Sequence, residues 1–194
     1  MARPGNQALV TISIMLATVM QALDTTIANV ALPHMQGSLS ASFDQISWVL
    51  TSYIVAAAIM TPAVGFAAAR LGRRRLFLWS VAGFVVTSAL CGLATSLDEM
   101  VLFRLLQGVC GAALVPLSQT VLLDTYPTHK HGQAMAIWGM GIMVGPILGP
   151  TLGGWLTDWY SWRWVFYINV PVGILSYLGI YASVEDTPIR KFRF

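Results

Sequence analysis

The sequence predicts an all-α integral membrane protein, a bundle of six transmembrane helices with both termini on the cytoplasmic side. Three observations carry that prediction. Of 194 residues, 56% are hydrophobic and only 10% are charged, whereas a soluble globular chain carries roughly 25% charged residues. Six apolar segments each reach the roughly 20 residues that a helix needs to cross hydrocarbon. The lysines and arginines, finally, sit almost entirely on alternate loops. The mean hydropathy of +0.69 excludes a soluble enzyme and a disordered tail on composition alone.

Taken in order, the spans cover residues 8–32, 46–69, 76–96, 99–123, 133–157 and 164–184. Residues 1–7 are expected to form a short cytoplasmic N-terminus and 185–194 a charged cytoplasmic tail, with truncation before further helices the expectation for the end of the sequence. The breaks are polar. Residues 33–44 form a loop, 70–75 a tight basic turn, 96–99 a short acidic turn, 124–132 a polar turn and 158–163 a polar-aromatic turn. Span one is too long for a signal-peptide core and lacks a clean cleavage site. With the N-terminus inside, the cytoplasmic side holds Arg3, Arg70, Arg73, Arg74, Arg75, Lys130, Arg190, Lys191 and Arg193. The other side holds Arg163, and Arg104 lies within a span. That asymmetry is the positive-inside pattern. Trp155, Trp159, Trp162 and Trp164 cluster at the outer ends of spans five and six, as an interfacial aromatic belt would. The net charge of +3 thus reports membrane orientation, with no basic stripe for nucleic acid. Cys91 and Cys110 fall inside apolar spans and read as packing residues. No spacing suits a metal, and no paired acid and base or nucleophile motif suggests an enzyme.

Two charges lie inside the membrane. A charge at a helix centre costs on the order of 3 kcal/mol on insertion scales, so it normally faces a cavity or a partner. Asp24 sits in span one and Arg104 in span four. At 1.5 Å per residue they lie roughly 12 Å and 8 Å below the outer ends of their helices, in the same leaflet. They meet if spans one and four are neighbours. Burial favours a protonated carboxyl and a guanidinium favours the carboxylate. Separating the two would therefore change how tightly Asp24 holds a proton. The competing reading is a purely structural ion pair, or an arginine reaching to the helix end. Gln21, Thr25, Asn29, Gln107 and Gln119 are the polar candidates for lining a cavity beside the pair.

Span five carries Gly141, Gly145, Gly149 and Gly153 at four-residue spacing, followed by Gly154 and interrupted by Pro146 and Pro150. Small residues at this spacing let helix backbones approach closely. The turn after span two holds Gly65, Arg70, Gly72, Arg73 and Arg74. Its arginines fix topology or bind anionic headgroups.

These motifs, in this order, resemble the Major Facilitator Superfamily, and within it the fourteen-spanner drug:proton antiporters of the EmrB/QacA type. Residues 23–33, LDTTIANVALP, resemble that group's first-helix motif. Residues 104–108, RLLQG, running on to Gly111, resemble the fourth-helix motif. Residues 141–154 resemble the fifth-helix antiporter motif, and 162–171, WRWVFYINVP, the start of the sixth helix. The turn at 65–75 departs from the family pattern: Ala69 stands where an aspartate is usual, and Ala67 where a leucine is usual.

The resemblance implies the N-terminal half of that fold, a 3+3 inverted repeat. It implies proton-coupled multidrug efflux by alternating access, with Asp24 and Arg104 coupling the proton. The proton gradient would be the energy source, with no bound cofactor. Small lipophilic or cationic substrates and membrane lipid would be its ligands, in a bacterial cytoplasmic (inner) membrane. A periplasmic adaptor and an outer-membrane channel would be partners. A C-terminal half, or a homo-oligomer, would complete the cavity. Two alternatives stay open: a proton-coupled metabolite symporter, against which Gly145-Pro146 argues, and a non-transporting membrane fragment or accessory subunit.

Overall fold

The computed structural model describes residues 4–184. Arg3, Arg190, Lys191 and Arg193, and the expected tail at 185–194, lie outside the described residues. Six helical spans are long and apolar enough to cross a membrane: Gln7–Ser38, Phe43–Leu71, Arg73–Leu93, Leu97–Thr125, Thr128–Trp159 and Trp164–Ser183. The chain is a multi-pass membrane protein. Span one is continuous, as is span three, whereas the helix is interrupted at Ser47 in span two and at Ala112–Ala113 in span four. Span five is interrupted at Met143 and span six at Ile168.

Local chemistry sets several helix starts. Ser42 and Gln45 form a reciprocal capping box at the head of span two, which satisfies two otherwise orphan amides. Ser96 accepts from the Glu99 amide at the head of span four. Spans two and three meet at Gly72, whose φ of 86° lies in the region that favours glycine. At the far end of span three, Arg163 donates from Nη1 to the Gly92 and Ala94 carbonyls at 2.6 and 2.7 Å. A guanidinium there satisfies orphan carbonyls and opposes the negative end of the helix dipole. Arg163 is therefore a cap as well as the lone outer cation of the expected topology.

The sequence places the end of span one at residue 32, before Pro33, but the helix runs on to Ser38 with Pro33 inside it. The lost backbone hydrogen bond is outweighed by packing, because Met35 is fully buried and Leu39 nearly so in the second core cluster. Trp162 also departs from the belt reading. It is 5% exposed and donates its indole N–H to Ser38 Oγ at 3.0 Å. Trp155, Trp159 and Trp164 are exposed as expected, and edge-on ring contacts link Trp155 to Tyr160 and Trp164 to Tyr167.

Span one packs mainly on spans five and six, and span four on spans two and three. Spans three and six pack on each other. Exchanging one with four, two with five and three with six maps these neighbours onto themselves, as a 3+3 repeat requires. Lipid tails are as apolar as leucine, so close packing rather than the hydrophobic effect drives this association. The glycine ladder supplies it. A Cβ on Gly145 would lie 2.7 Å from the Ala22 backbone, on Gly149 2.1 Å from Thr26 Oγ1, and on Gly153 3.2 Å from Ile27. Gly141 meets the flexible end of Met15. Gly154 faces open space, so it drops out of the expected packing face. Pro146 and Pro150, beside that face, are exposed. Gly149→Val is expected to cost about 3 kcal/mol or more through overpacking, and Gly154→Ala close to nothing. Thermal unfolding of the purified protein in detergent checks both.

Two apolar clusters fill the bundle. One gathers Val10, Ile14, Met20, Phe77, Phe84, Leu114 and Ile180. The other gathers Leu23, Ile27, Met35, Val49, Met100, Val165 and Phe166. On span one they meet between Met20 and Leu23, and a layer of buried polar side chains lies at that level.

Candidate functional site

Each of four spans contributes one polar stretch to this layer, at the point where its apolar residues change cluster. Span one gives Asp24, span three Ser88, span four Arg104 and Gln107, and span six Asn169, all essentially without solvent exposure. Arg104 Nη1 donates to Asp24 Oδ2 at 2.6 Å and to Gln107 Oε1 at 2.7 Å. Its Nε donates to the Val49 carbonyl at 3.1 Å. The guanidinium carbon lies 4.4 Å from the Tyr53 ring centroid and 5.7 Å from that of Phe166. Asp24 Oδ1 accepts from Gln107 Nε2 at 3.0 Å and from Asn169 Nδ2 at 2.8 Å. Both charges are thus out of water, which costs several kcal/mol per ion unless geometry and hydrogen bonds compensate. Three charge-assisted bonds compensate the carboxylate, whereas Arg104 Nη2 is buried with no hydrogen-bond partner among the described residues.

Gly108 makes the arrangement possible. A Cβ there would sit 2.4 Å from the Tyr53 carbonyl oxygen. Only glycine lets span two approach span four closely enough for Val49 and Tyr53 to reach the guanidinium. The short Gly108-Gly111 face therefore positions the site.

The structure separates the other cavity candidates. Gln21 and Thr25 line an open groove of about 250 Å³ between spans one, four and five, together with Thr18, Thr26, Val115 and Pro146. The threonine hydroxyls donate to backbone carbonyls of their own helix, Thr18 to Ile14 and Thr25 to Ala22. Thr26 also reaches across to the Gly145 carbonyl at 3.1 Å. Their remaining capacity is as acceptors. Gln21 donates to Tyr53 Oη at 3.3 Å, and its own buried Oε1 has no protein partner. The groove is therefore one side chain away from the ring that faces Arg104. Gln107 is buried on Asp24 rather than in the groove. Asn29 is exposed elsewhere on span one, and half-buried Gln119 does not line the groove. Neither joins the site.

In the basic turn, Arg73 pairs with Asp124 at the end of span four. Arg74 donates to the Tyr181 carbonyl at 2.7 Å and lies over that ring. Two arginines thus tie spans three, four and six together, while exposed Arg70 rests over Phe66 and Arg75 is exposed. A Cβ on Gly65 would meet nothing, so no close approach explains that glycine.

Sequence reasoning missed Asn169, Ser88, Tyr53 and Cys91. Asn169 is a carboxamide in an apolar run, which was a readable signal. Ser88 carried none, because helix serines commonly bond their own backbone. Cys91, read as a packing residue, donates its thiol to Gln107 Oε1 at 3.6 Å.

Comparison with known proteins agrees with this architecture. The chain is 52% identical over 170 residues to the multidrug export protein EmrB of Haemophilus influenzae, covering 88% of this chain and 33% of that protein. It is 48% identical over 185 residues to EmrB of Escherichia coli strain K12, covering 95% and 36%. The fatty acid resistance protein FarB of Neisseria gonorrhoeae is 49% identical over 167 residues, covering 86% and 33%. The chain thus spans about a third of the length of these curated relatives. Its fold matches the inward-open xylose transporter XylE from E. coli with a TM-score of 0.80 at 18% identity, over 92% of this chain and 48% of that one. A bacterial homologue of the human lysosomal transporter Spinster, inward-facing and unoccupied, matches with a TM-score of 0.78 at 24% identity, over 96% and 45%. The sequence pattern of the Major Facilitator Superfamily extends over residues 14–193, nearly the whole chain, and the chain belongs to that superfamily of transporters.

Proposed function

We infer that the chain is the N-terminal half of a proton-driven multidrug exporter of the EmrB type, working by alternating access in a bacterial inner membrane. The observation that carries this reading is the fully buried Asp24–Arg104 pair, set between apolar clusters and adjoining an open groove. Asp24 takes up and releases the proton. Arg104, which keeps its charge under all ordinary conditions, changes the affinity of Asp24 for that proton as the bundle moves. The groove walls offer mainly lone pairs, from the part-exposed hydroxyls of Thr25 and Thr26, and so suit lipophilic substrates that bear hydrogen-bond donors or a positive charge.

Spans five and two are the least covered of the six, and both expose apolar side chains such as Ile54, Ile59, Met143 and Ile147. A second six-helix half covering these faces would turn the groove into one wall of a central cavity near the midplane. The proton gradient is the energy source, and no bound cofactor is needed. Moving one charge through 100 mV supplies about 2.3 kcal/mol, enough for a modest substrate gradient per cycle. By the same family reading, a periplasmic adaptor and an outer-membrane channel carry the substrate onward.

The test is transport direction in inverted vesicles that hold the complete transporter. An imposed proton gradient, acid inside, is expected to drive a fluorescent lipophilic cation into the vesicles, and a protonophore to stop it. Proton-driven movement in the other direction would make the protein a symporter.

A further inference from the structure

Asp24 is surrounded by donors only. Oδ2 faces Arg104 Nη1, and Oδ1 faces the amide nitrogens of Gln107 and Asn169. That arrangement suits a carboxylate. A protonated carboxyl must itself donate, and no acceptor is aimed at it. Proton uptake therefore requires one neighbour to change from donor to acceptor.

Arg104 cannot, having no acceptor atom. Gln107 is held as placed, because its Oε1 accepts from both Arg104 and Cys91. Turning that amide over would set its NH₂ against the guanidinium. Asn169 is free of such a lock. Its Nδ2 donates to Asp24 and, at 3.0 Å, to Ser88 Oγ. The Ser88 hydroxyl donates in turn to the Phe166 carbonyl at 2.8 Å. A hydroxyl can donate or accept by rotating, so Ser88 can serve either orientation of the amide.

We propose that Asn169 and Ser88 form a two-position relay that reads the protonation state of Asp24. With the carboxylate, Asn169 donates to Asp24 and Ser88 donates to Phe166. When a proton from water binds Oδ1, the Asn169 amide turns over and its Oδ1 accepts from Asp24. Ser88 then rotates to donate to the same Asn169 oxygen and releases the Phe166 carbonyl. That carbonyl belongs to the short helix Trp164–Tyr167, just before the interruption of span six at Ile168. Proton binding thereby loosens one tie between spans three and six at the break. The titratable groups facing Asp24 are Tyr53 from span two, Cys91 from span three and Arg104 from span four. Span five presents glycines to span one, and span six presents Asn169.

The relay rests on the assignment of Asp24 as the proton site. Infrared titration of the protein in lipid, following the carboxyl band of Asp24, tests the two separately. Ser88 makes one more hydrogen bond in the carboxylate state than in the acid state. Ser88→Ala is therefore expected to raise the pH of half-protonation by about half to one unit, and Ser88→Thr to restore it. In an Asn169→Leu background, Ser88→Ala is expected to add nothing. Should that background misfold, a pH-dependent shift of the isotope-labelled Asn169 amide band, moved to higher pH in Ser88→Ala by the same half to one unit, makes the same case. A wild-type titration that Ser88→Ala leaves in place overturns the relay and spares the proton site. A wild-type protein with no titrating Asp24 band overturns both.

Discussion

Asp24→Asn is expected to abolish proton-coupled export by the complete transporter and to leave Arg104 buried without a counterion. The substitution keeps the shape of the side chain and removes the only buried acid among the described residues. Breaking one partner of a buried pair costs about 3–5 kcal/mol, because the remaining charge has no compensation. Two measurements therefore move together: drug resistance of cells expressing the variant, and its melting temperature in detergent. The double variant Asp24→Asn with Arg104→Gln separates them. It removes both charges, so stability is expected to return in large part while transport stays lost. Full drug resistance in the single variant would sink the proton-coupling role of Asp24. Recovery of transport in the double variant would show that the pair serves stability alone.

Arg104→Lys has the second-largest expected effect. The guanidinium does three things at once. It bonds Asp24 and Gln107 through Nη1, bonds the Val49 carbonyl through Nε, and lies over the Tyr53 ring. An ammonium is a compact point charge and cannot span those partners with one geometry. Loss of one or two charge-assisted bonds corresponds to about 2–3 kcal/mol, with transport failing even though the charge is retained. Normal efflux and an unchanged melting temperature would mean that positive charge alone matters at this position.

The two charges of the site were legible in the sequence because charge is expensive in hydrocarbon, so Asp24 and Arg104 stood out against apolar runs. Their depths, counted at 1.5 Å per residue from the expected span ends, put them at a similar level. Span one runs on to Ser38, so that count was too short for Asp24, and it is the Arg104–Asp24 bond that brings the two together. The glycine ladder was legible for a similar reason, since four-residue spacing has a direct packing meaning. Gly154 could not be separated from it, because spacing alone does not say which side of a helix meets a neighbour. For the same reason spacing could not say that Asn29 and Gln119 lie away from the buried layer and the groove. Pro33 misled in the other direction. It is a local stop signal, and the burial of Met35 and Leu39 overrides it.

The sequence by itself determined the membrane as solvent, the six spans and the two intramembrane charges. These follow from composition and one-dimensional periodicity, which the bilayer constrains strongly. Only the tertiary structure decided that four separate spans change apolar cluster at one level, and that Ser88, Arg104, Gln107 and Asn169 converge there on Asp24. It also decided that Gly108 brings the Val49 carbonyl under the guanidinium. Those facts depend on how each helix is rotated about its own axis. Rotation is set by the summed packing of small side chains against neighbours far apart in the chain, which no local stretch of sequence contains.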